Sequence, residues 1–397
     1  MPLSRRRFFF GSLALPALAR AAKPAGERPN IVLILVDGLP ACVLGCYGGR
    51  DIQTPNIDLL ARTGARFQRH CTAAPAAQPG RASLLTGGTG MQVGTTPMAN
   101  AAASPLATLL AGLGYGCHAT PAGAAEAVVV EAGKFLDQQA EGKPFFLVAG
   151  FGDPRPLSSG VAEKYAAAKF ESFFPADPPA ANATAGKEML GDPLGSLRQA
   201  ATAITALDEQ VGALISKLTG TRLLDTTLVV FTSPGGSLLS RHGLWGSGDS
   251  SDPANMYEEA VNTPMIWRWP ARIPPQTTRT ELVSSVDLLP AIAELTAAPL
   301  PGGNLSGRSC LALAMGKPLG KTQPWRNLAF SHLQNTDMVR DSRYKLVLRS
   351  GGQGPNELYD LQADPREQTN GYQDGQFASI RAALAGEIDK WKMRYSS

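Results

Sequence analysis

The chain has 397 residues, 44% hydrophobic and 18% charged, with 42 glycines and 31 prolines. That is an ordinary globular composition, long enough for one large α/β domain plus a smaller one, with many loops. The formal charge of +4 rests on Arg5, Arg6, Arg7 and Arg20 within residues 1–21, which hold no acid. The remainder is neutral, which gives no argument for nucleic acid or an anionic membrane as partner.

The N-terminus reads Ser4-Arg5-Arg6-Arg7-Phe8, an apolar run to Leu18, then small residues around Ala19 and Ala21. A charged start, a short apolar core and small-residue cleavage options predict an export signal over 1–21. Its paired arginines resemble a twin-arginine signal, which implies a periplasmic or secreted mature protein. No other segment is apolar enough to cross a membrane. Cys42, Cys46, Cys71, Cys117 and Cys310 form no metal-type motif. They read as free thiols, with room for one disulfide in an oxidising compartment.

After a polar linker, Ile31 to Val36 is a continuous apolar run of the kind a buried parallel strand needs. Asp37 stands at its carboxyl end, where ligands bind in open α/β sheets, and turn capping is its plain alternative. Pro55 sits in the first turn of a short helix. The stretch Pro75 to Gly87 feeds small residues and prolines into Arg81-Ala82-Ser83-Leu84-Leu85-Thr86, the first turns of another helix. Unpaired N–H groups at that start, with the fork of Arg81, suit an anion.

A short apolar helix follows over Ala107 to Leu113, then a strand over Phe145 to Phe151. Residues 153–190 read as a long surface excursion. Leu197, Ala200, Ile204, Leu207, Val211, Leu214 and Ile215 repeat at helical spacing within Leu194 to Leu218. Strands follow at Thr227 to Thr232 and Pro264 to Trp269, with a helix over Val286 to Thr296. Strands alternating with helices predict a mostly parallel sheet with helices on both faces over about 28–300. Beyond it, Arg343 to Leu348 and Asn356 to Leu361 form a hairpin and Gln376 to Trp391 a helix, which predicts a small α+β subdomain over 301–397.

The stretch Ala77-Gln78-Pro79-Gly80-Arg81 with Leu85-Thr86-Gly87 resembles the sulfatase signature Cys/Ser-x-Pro-Ser-Arg-x-x-x-Leu-Thr-Gly. The resemblance continues in order through Asn30 to Asp37, Thr54 to Asp58, Lys143 to Leu147, Leu207 to Gly212, His242 to Gly246, Met256 to Val261, Val283 to Pro290 and Glu357 to Pro365. It implies an alkaline-phosphatase-like α/β core. It also implies sulfate-ester hydrolysis by an oxidised Cys or Ser, a Ca²⁺ ion held by paired carboxylates, and basic residues that hold the ester.

The departures gather at that chemistry. Ala77 occupies the nucleophile position and Gly80 the serine position. The first metal pair reads Asp37-Gly38 and the second Pro234-Gly235, so Asp37 alone remains where Ca²⁺ needs six to eight oxygens. Arg155 stands at a family histidine and Ser247 at a family lysine. His118 lies in a region that cannot be aligned. Arg81 and His242 remain as candidates, with structural hydrogen bonding the plain alternative for His242. Together these predict an exported sulfatase-like protein without hydrolytic machinery or a bound cofactor. It would keep an anion pocket at Arg81 and Arg155 for a sulfated or phosphorylated small molecule or glycan. Two other readings stand beside it. One is an active sulfate or phosphate ester hydrolase that works through Asp37, His242 or bound water. The other is a partner-binding protein that uses the Pro/Ala-rich surface near 175–187.

Overall fold

The computed structural model describes residues 28–396 except 95–97, 99, 140–142, 155–159, 174–175 and 320–323. The expected export signal over 1–21 and the candidate Arg155 therefore lie outside the described residues. Among those described, no helix is long and apolar enough to cross a membrane.

The apolar run near the start is β1 (Asn30–Val36), buried along its whole length. Its alternating side chains feed two cores, because successive residues of a strand face opposite ways. Val32, Ile34 and Val36 pack with Leu197, Ile204, Val211 and Leu214 of the long helix Pro193–Gly220. Ile31, Leu33 and Leu35 pack with Leu84 and Leu85 of the helix Ala77–Thr86 and with Leu288 and Ile292 of the helix Leu288–Thr296. One strand thus anchors helices on both faces of the sheet.

β2 (Ala65–Cys71), β3 (Gly116–Ala119), β4 (Phe145–Phe151), β5 (Thr227–Thr232), β6 (Met265–Arg268) and β7 (Thr277–Ser284) complete the seven-stranded sheet, in the order β3-β4-β1-β5-β6-β2-β7. β1 pairs in parallel with β4 and β5, Leu33 lying beside Val148 and Val230. Only β6 runs against its neighbours. The carboxyl ends of β1, β2, β4, β5 and β7 therefore share one edge, which is where ligand sites of such sheets form.

Asp208, on the long helix, shows why the Leu207-to-Gly212 motif is tied to Thr54-to-Asp58. Its fully buried carboxylate accepts from Asn56 N (3.1 Å), Asn56 Nδ2 (2.8 Å) and Ile57 N (2.8 Å). It satisfies the free N–H groups at the start of the helix Pro55–Arg62 from another element. Gly212 is glycine because a Cβ there would run into Asn56.

The C-terminal part adds a second sheet of β8 (Ala329–Leu333), β9 (Thr336–Arg340), β10 (Tyr344–Arg349) and β11 (Glu357–Asp360), all antiparallel, in the order β11-β10-β9-β8. The expected hairpin is the pair β10–β11. Leu384 and Ile388 of the helix Ala378–Tyr395 cover one face, and Met338 and Val347 meet Met256 and Val261 on the other. Lys345 crosses that junction. Fully buried, its ammonium donates to Met256 O (2.6 Å) and Glu258 Oε1 (3.2 Å) and pairs with Glu367. Arg340 adds a 2.5 Å bond to the other oxygen of Glu258.

Candidate functional site

β1 delivers Asp37 to the carboxyl edge, where its N–H bonds Phe151 O of β4 (3.1 Å). The chain then turns through Gly38 in the left-handed region, φ +66°. A side chain at 38 would be strained by that φ and would push on the carboxyl of Asp153, 2.7 Å from where its Cβ would stand. Asp153 follows β4 and is itself engaged by other groups. Reading the sequence overlooked it. The available signal was an acid just past the end of the strand beside β1.

Ala77 opens the helix Ala77–Thr86 without a side-chain cap at Ala76. It is half-buried, and its methyl is all the chain offers at that point. One turn further, Arg81 is 6% exposed, and its Nη2 lies 2.8 Å from both oxygens of Asp37. Its Nε is buried and has no hydrogen-bond partner among the described residues. The structure thus brings Asp37 and Arg81 together as an ion pair, so part of the guanidinium expected to face a ligand is already neutralised.

Pro234 and Gly235, past the end of β5, pack directly on this helix start. Pro234 O accepts from Thr72 Oγ1 (2.6 Å) and fills the place a Cβ on Gly80 would need. Ser233 Oγ donates to Gly235 O (2.6 Å) and accepts from Leu39 N (3.3 Å). Pro75 O is bonded by Gly248 N (2.7 Å). The replaced segments therefore support one another.

The remaining candidates have scaffold partners. His242 has φ +56°, stacks face to face on Tyr257 with 3.6 Å between ring centres, and takes Asp177 Oδ2 on its backbone N–H (2.7 Å). Its Nε2 lies 3.7 Å from Glu259, which also pairs with Arg241. Burial pushes the Glu259 carboxyl up. The neighbouring His242 and the charge of Arg241 outweigh that and hold it at about 2. Ser247 donates to Gly236 O (2.6 Å). His118 stacks on Phe135 of the helix Ala125–Asp137 and approaches Glu131 (3.3 Å), on an outer strand. The five cysteines are free thiols.

Among the described residues, one group could gather three ligand atoms around an ion: His242, Glu259 and Glu367, within 4.8 Å of one another. Their charge is already met, by Arg241 on Glu259 and Lys345 on Glu367. A divalent ion there would displace cations that already have their partners.

A mostly parallel α/β sheet with helices on both faces and an antiparallel C-terminal sheet is the alkaline-phosphatase-like fold. The chain belongs to the sulfatase family: the family profile "Sulfatase" matches residues 29–123 and 117–298, and "N-sulphoglucosamine sulphohydrolase, C-terminal" matches 248–394. It is 22% identical to an N-acetylglucosamine-6-O-sulfatase of Bacteroides thetaiotaomicron, over 97% of this chain and 90% of that protein. Identity to human arylsulfatase A is 28%, over 90% and 85%. A solved structure in complex with its substrate D-glucosamine-2-N,6-O-disulfate superposes with a TM-score of 0.76 at 20% identity, covering 93% of this chain and 98% of that one.

Proposed function

We propose that this protein is an exported sulfatase homologue that does not hydrolyse esters and keeps a remnant site for a sulfated or phosphorylated group. The observation that carries the reading is Ala77, a methyl group where the family places its nucleophile. Pro234 O seated against Gly80 supports it, because the neighbouring structure has adapted to the loss.

The family implies Ca²⁺, and the residues do not fit that ion. Asp37 is paired with Arg81, Gly38 has no side chain, and Pro234 O is bonded by Thr72. Hard cations of this size need six to eight oxygens. No step is therefore routed through a metal.

Recognition of an anion is supported by Arg81 itself. A buried guanidinium with an unpartnered Nε lacks a hydrogen bond that an oxyanion would supply. The helix start beside it adds N–H groups of the same polarity. An incoming sulfate or phosphate would share Arg81 with Asp37, so affinity should be modest. The family relationship suggests a sugar or small-molecule ester as the carrier of that anion.

The test is turnover of aryl sulfate and aryl phosphate by purified protein, with and without Ca²⁺, alongside calorimetry with sulfate. The expected result is no turnover, and sulfate binding that disappears in Arg81→Ala. Turnover above background that Arg81→Ala abolishes would overturn the inactive reading.

A further inference from the structure

Outside residues 1–21 the chain is neutral, and that balance hides a local excess. The amino ends of the parallel strands share the edge of the sheet opposite Asp37, and the end of β6, which runs the other way, joins them. Five connections into that edge each deliver a basic residue. Arg28 stands two residues before β1, Lys143 two before β4, Arg62 at the end of the helix that leads to β2, and Arg222 in the turn between the long helix and β5. Arg272 lies between β6 and β7. All five are exposed. From β4 to β2 is four strand spacings, so the row is roughly 19 Å long.

None of the five forms an ion pair with a described residue. Arg28 donates to Leu113 O and Arg272 lies over the ring of Trp269, contacts that leave both charges in place. Of the described acids that the topology brings to this edge, Asp137 pairs with Lys217 and Asp225 faces Arg268. That leaves Glu294, exposed near the end of the helix Leu288–Thr296. The edge therefore carries a positive field that the whole-chain charge does not reveal.

We propose that the amino edge of the sheet docks on an anionic phospholipid surface, with the edge that carries Asp37 and Arg81 turned away from it. About four to eight exposed Lys and Arg beside a membrane-seeking segment is the pattern that such a surface attracts. The chain supplies that segment at this edge. Ten residues lead from Leu18, the end of the apolar run in the expected export signal, to Arg28, and they span at most about 35 Å. A membrane that holds the run from Phe8 to Leu18 thus lies within that reach of the row. Charges strung along one edge can all approach a plane of headgroups at once. The tether rests on the exported reading, and the basic row stands without it.

The experiment is sedimentation of the full chain with vesicles of equal parts phosphatidylglycerol and phosphatidylcholine, and with vesicles of phosphatidylcholine alone. Two variants lose the same charge and keep the signal unchanged. Arg62→Ser with Lys143→Ser, Arg222→Ser and Arg272→Ser strips the row. Lys164→Ser with Lys169→Ser, Lys187→Ser and Arg366→Ser removes four exposed charges elsewhere. One basic residue near an anionic surface contributes roughly fivefold to binding, so the first variant should bind the anionic vesicles more than about tenfold more weakly, at an unchanged melting temperature. The second should stay within about threefold of the parent, because charges beyond a Debye length are screened. Four results would each overturn the proposal: no loss in the first variant, equal loss in both, equal binding of the parent to the two kinds of vesicle, or binding of soluble polyglutamate as tight as that of the anionic vesicles, which would make the row a site for an acidic protein. Sulfate binding at Arg81 is measured without vesicles, so the two readings fail separately.

Discussion

Lys345 and Arg81 are both buried cations, and the contrast between them separates scaffold from site. Lys345 donates to Met256 O and Glu258 and forms an ion pair with Glu367. Arg81 carries five N–H donors and, among the described residues, uses one nitrogen, toward Asp37. A cation that holds two parts of a fold together is saturated by the fold. Arg81 keeps a buried Nε without a partner among the described residues, as Arg279 and Arg349 also do. At the junction of the two sheets Lys345 is tied from several sides, whereas at the edge beside Ala77 Arg81 has one carboxylate partner among the described residues.

The sharpest way to break the comparison is at the junction. Lys345→Met leaves Glu258 and Glu367 buried without the cation between them and should cost about 3–5 kcal/mol, the usual loss when one partner of a buried pair is removed. Urea unfolding measures it, and a loss below about 1 kcal/mol would mean the network is not what joins the sheets. Acid should reach the same region. Glu259 is held at about 2, below its ordinary 4.5. A depressed carboxylate stabilises above its unfolded value, and that contribution drains away as pH falls from 4.5 toward 2. The urea midpoint should fall over that window, and Glu259→Gln should flatten the fall while lowering stability at pH 7.

What was legible in the sequence follows from where each signal is stored. β1, β4 and β5 are continuous apolar runs because both their faces are covered, so composition alone marks them. β2 and β7 carry ARFQRHC and TTRTELVS, where polar residues alternate toward solvent, and they pass for loop. β8 and β9 hide for a different reason, since Ser331, Thr336 and Asp337 are polar residues that the fold buries. At the site, Ala77 and Asp37 were found by linear motif. The bond between Asp37 and Arg81 spans 44 residues, and Asp153 reaches Gly38 only because β4 lies beside β1. Such pairings are made by the sheet order, which no local pattern encodes.

A smaller effect is expected where the site has closed on itself. Gly80→Ser restores the side chain of the family signature but drives its Cβ into Pro234 O, which Thr72 holds in place. Overpacking of this kind costs about 1–3 kcal/mol, visible as a lowered urea midpoint. Ala77→Cys, produced with the enzyme that oxidises such cysteines, should give no sulfatase activity alone or with Gly80→Ser. Full turnover in Ala77→Cys would mean that the nucleophile was the sole loss and that Pro234 is a neutral replacement.

The smallest change tests the contrast most directly. Asp37→Asn removes the charge that Arg81 faces while keeping the shape. Asp37 is partly exposed, at 14% of its side chain, so the pair gains less than a fully buried one and its loss should cost only about 1 kcal/mol. If Arg81 is a ligand-binding group held in reserve by Asp37, freeing it should tighten sulfate binding several-fold, and Asp37→Asn with Arg81→Ala should bind none. A scaffold cation would respond the other way. Stability would drop by several kcal/mol, as expected for Lys345, and sulfate affinity would not move. The two outcomes share one variant and differ in which quantity changes, so calorimetry and urea unfolding on Asp37→Asn decide whether Arg81 belongs with Lys345 or apart from it.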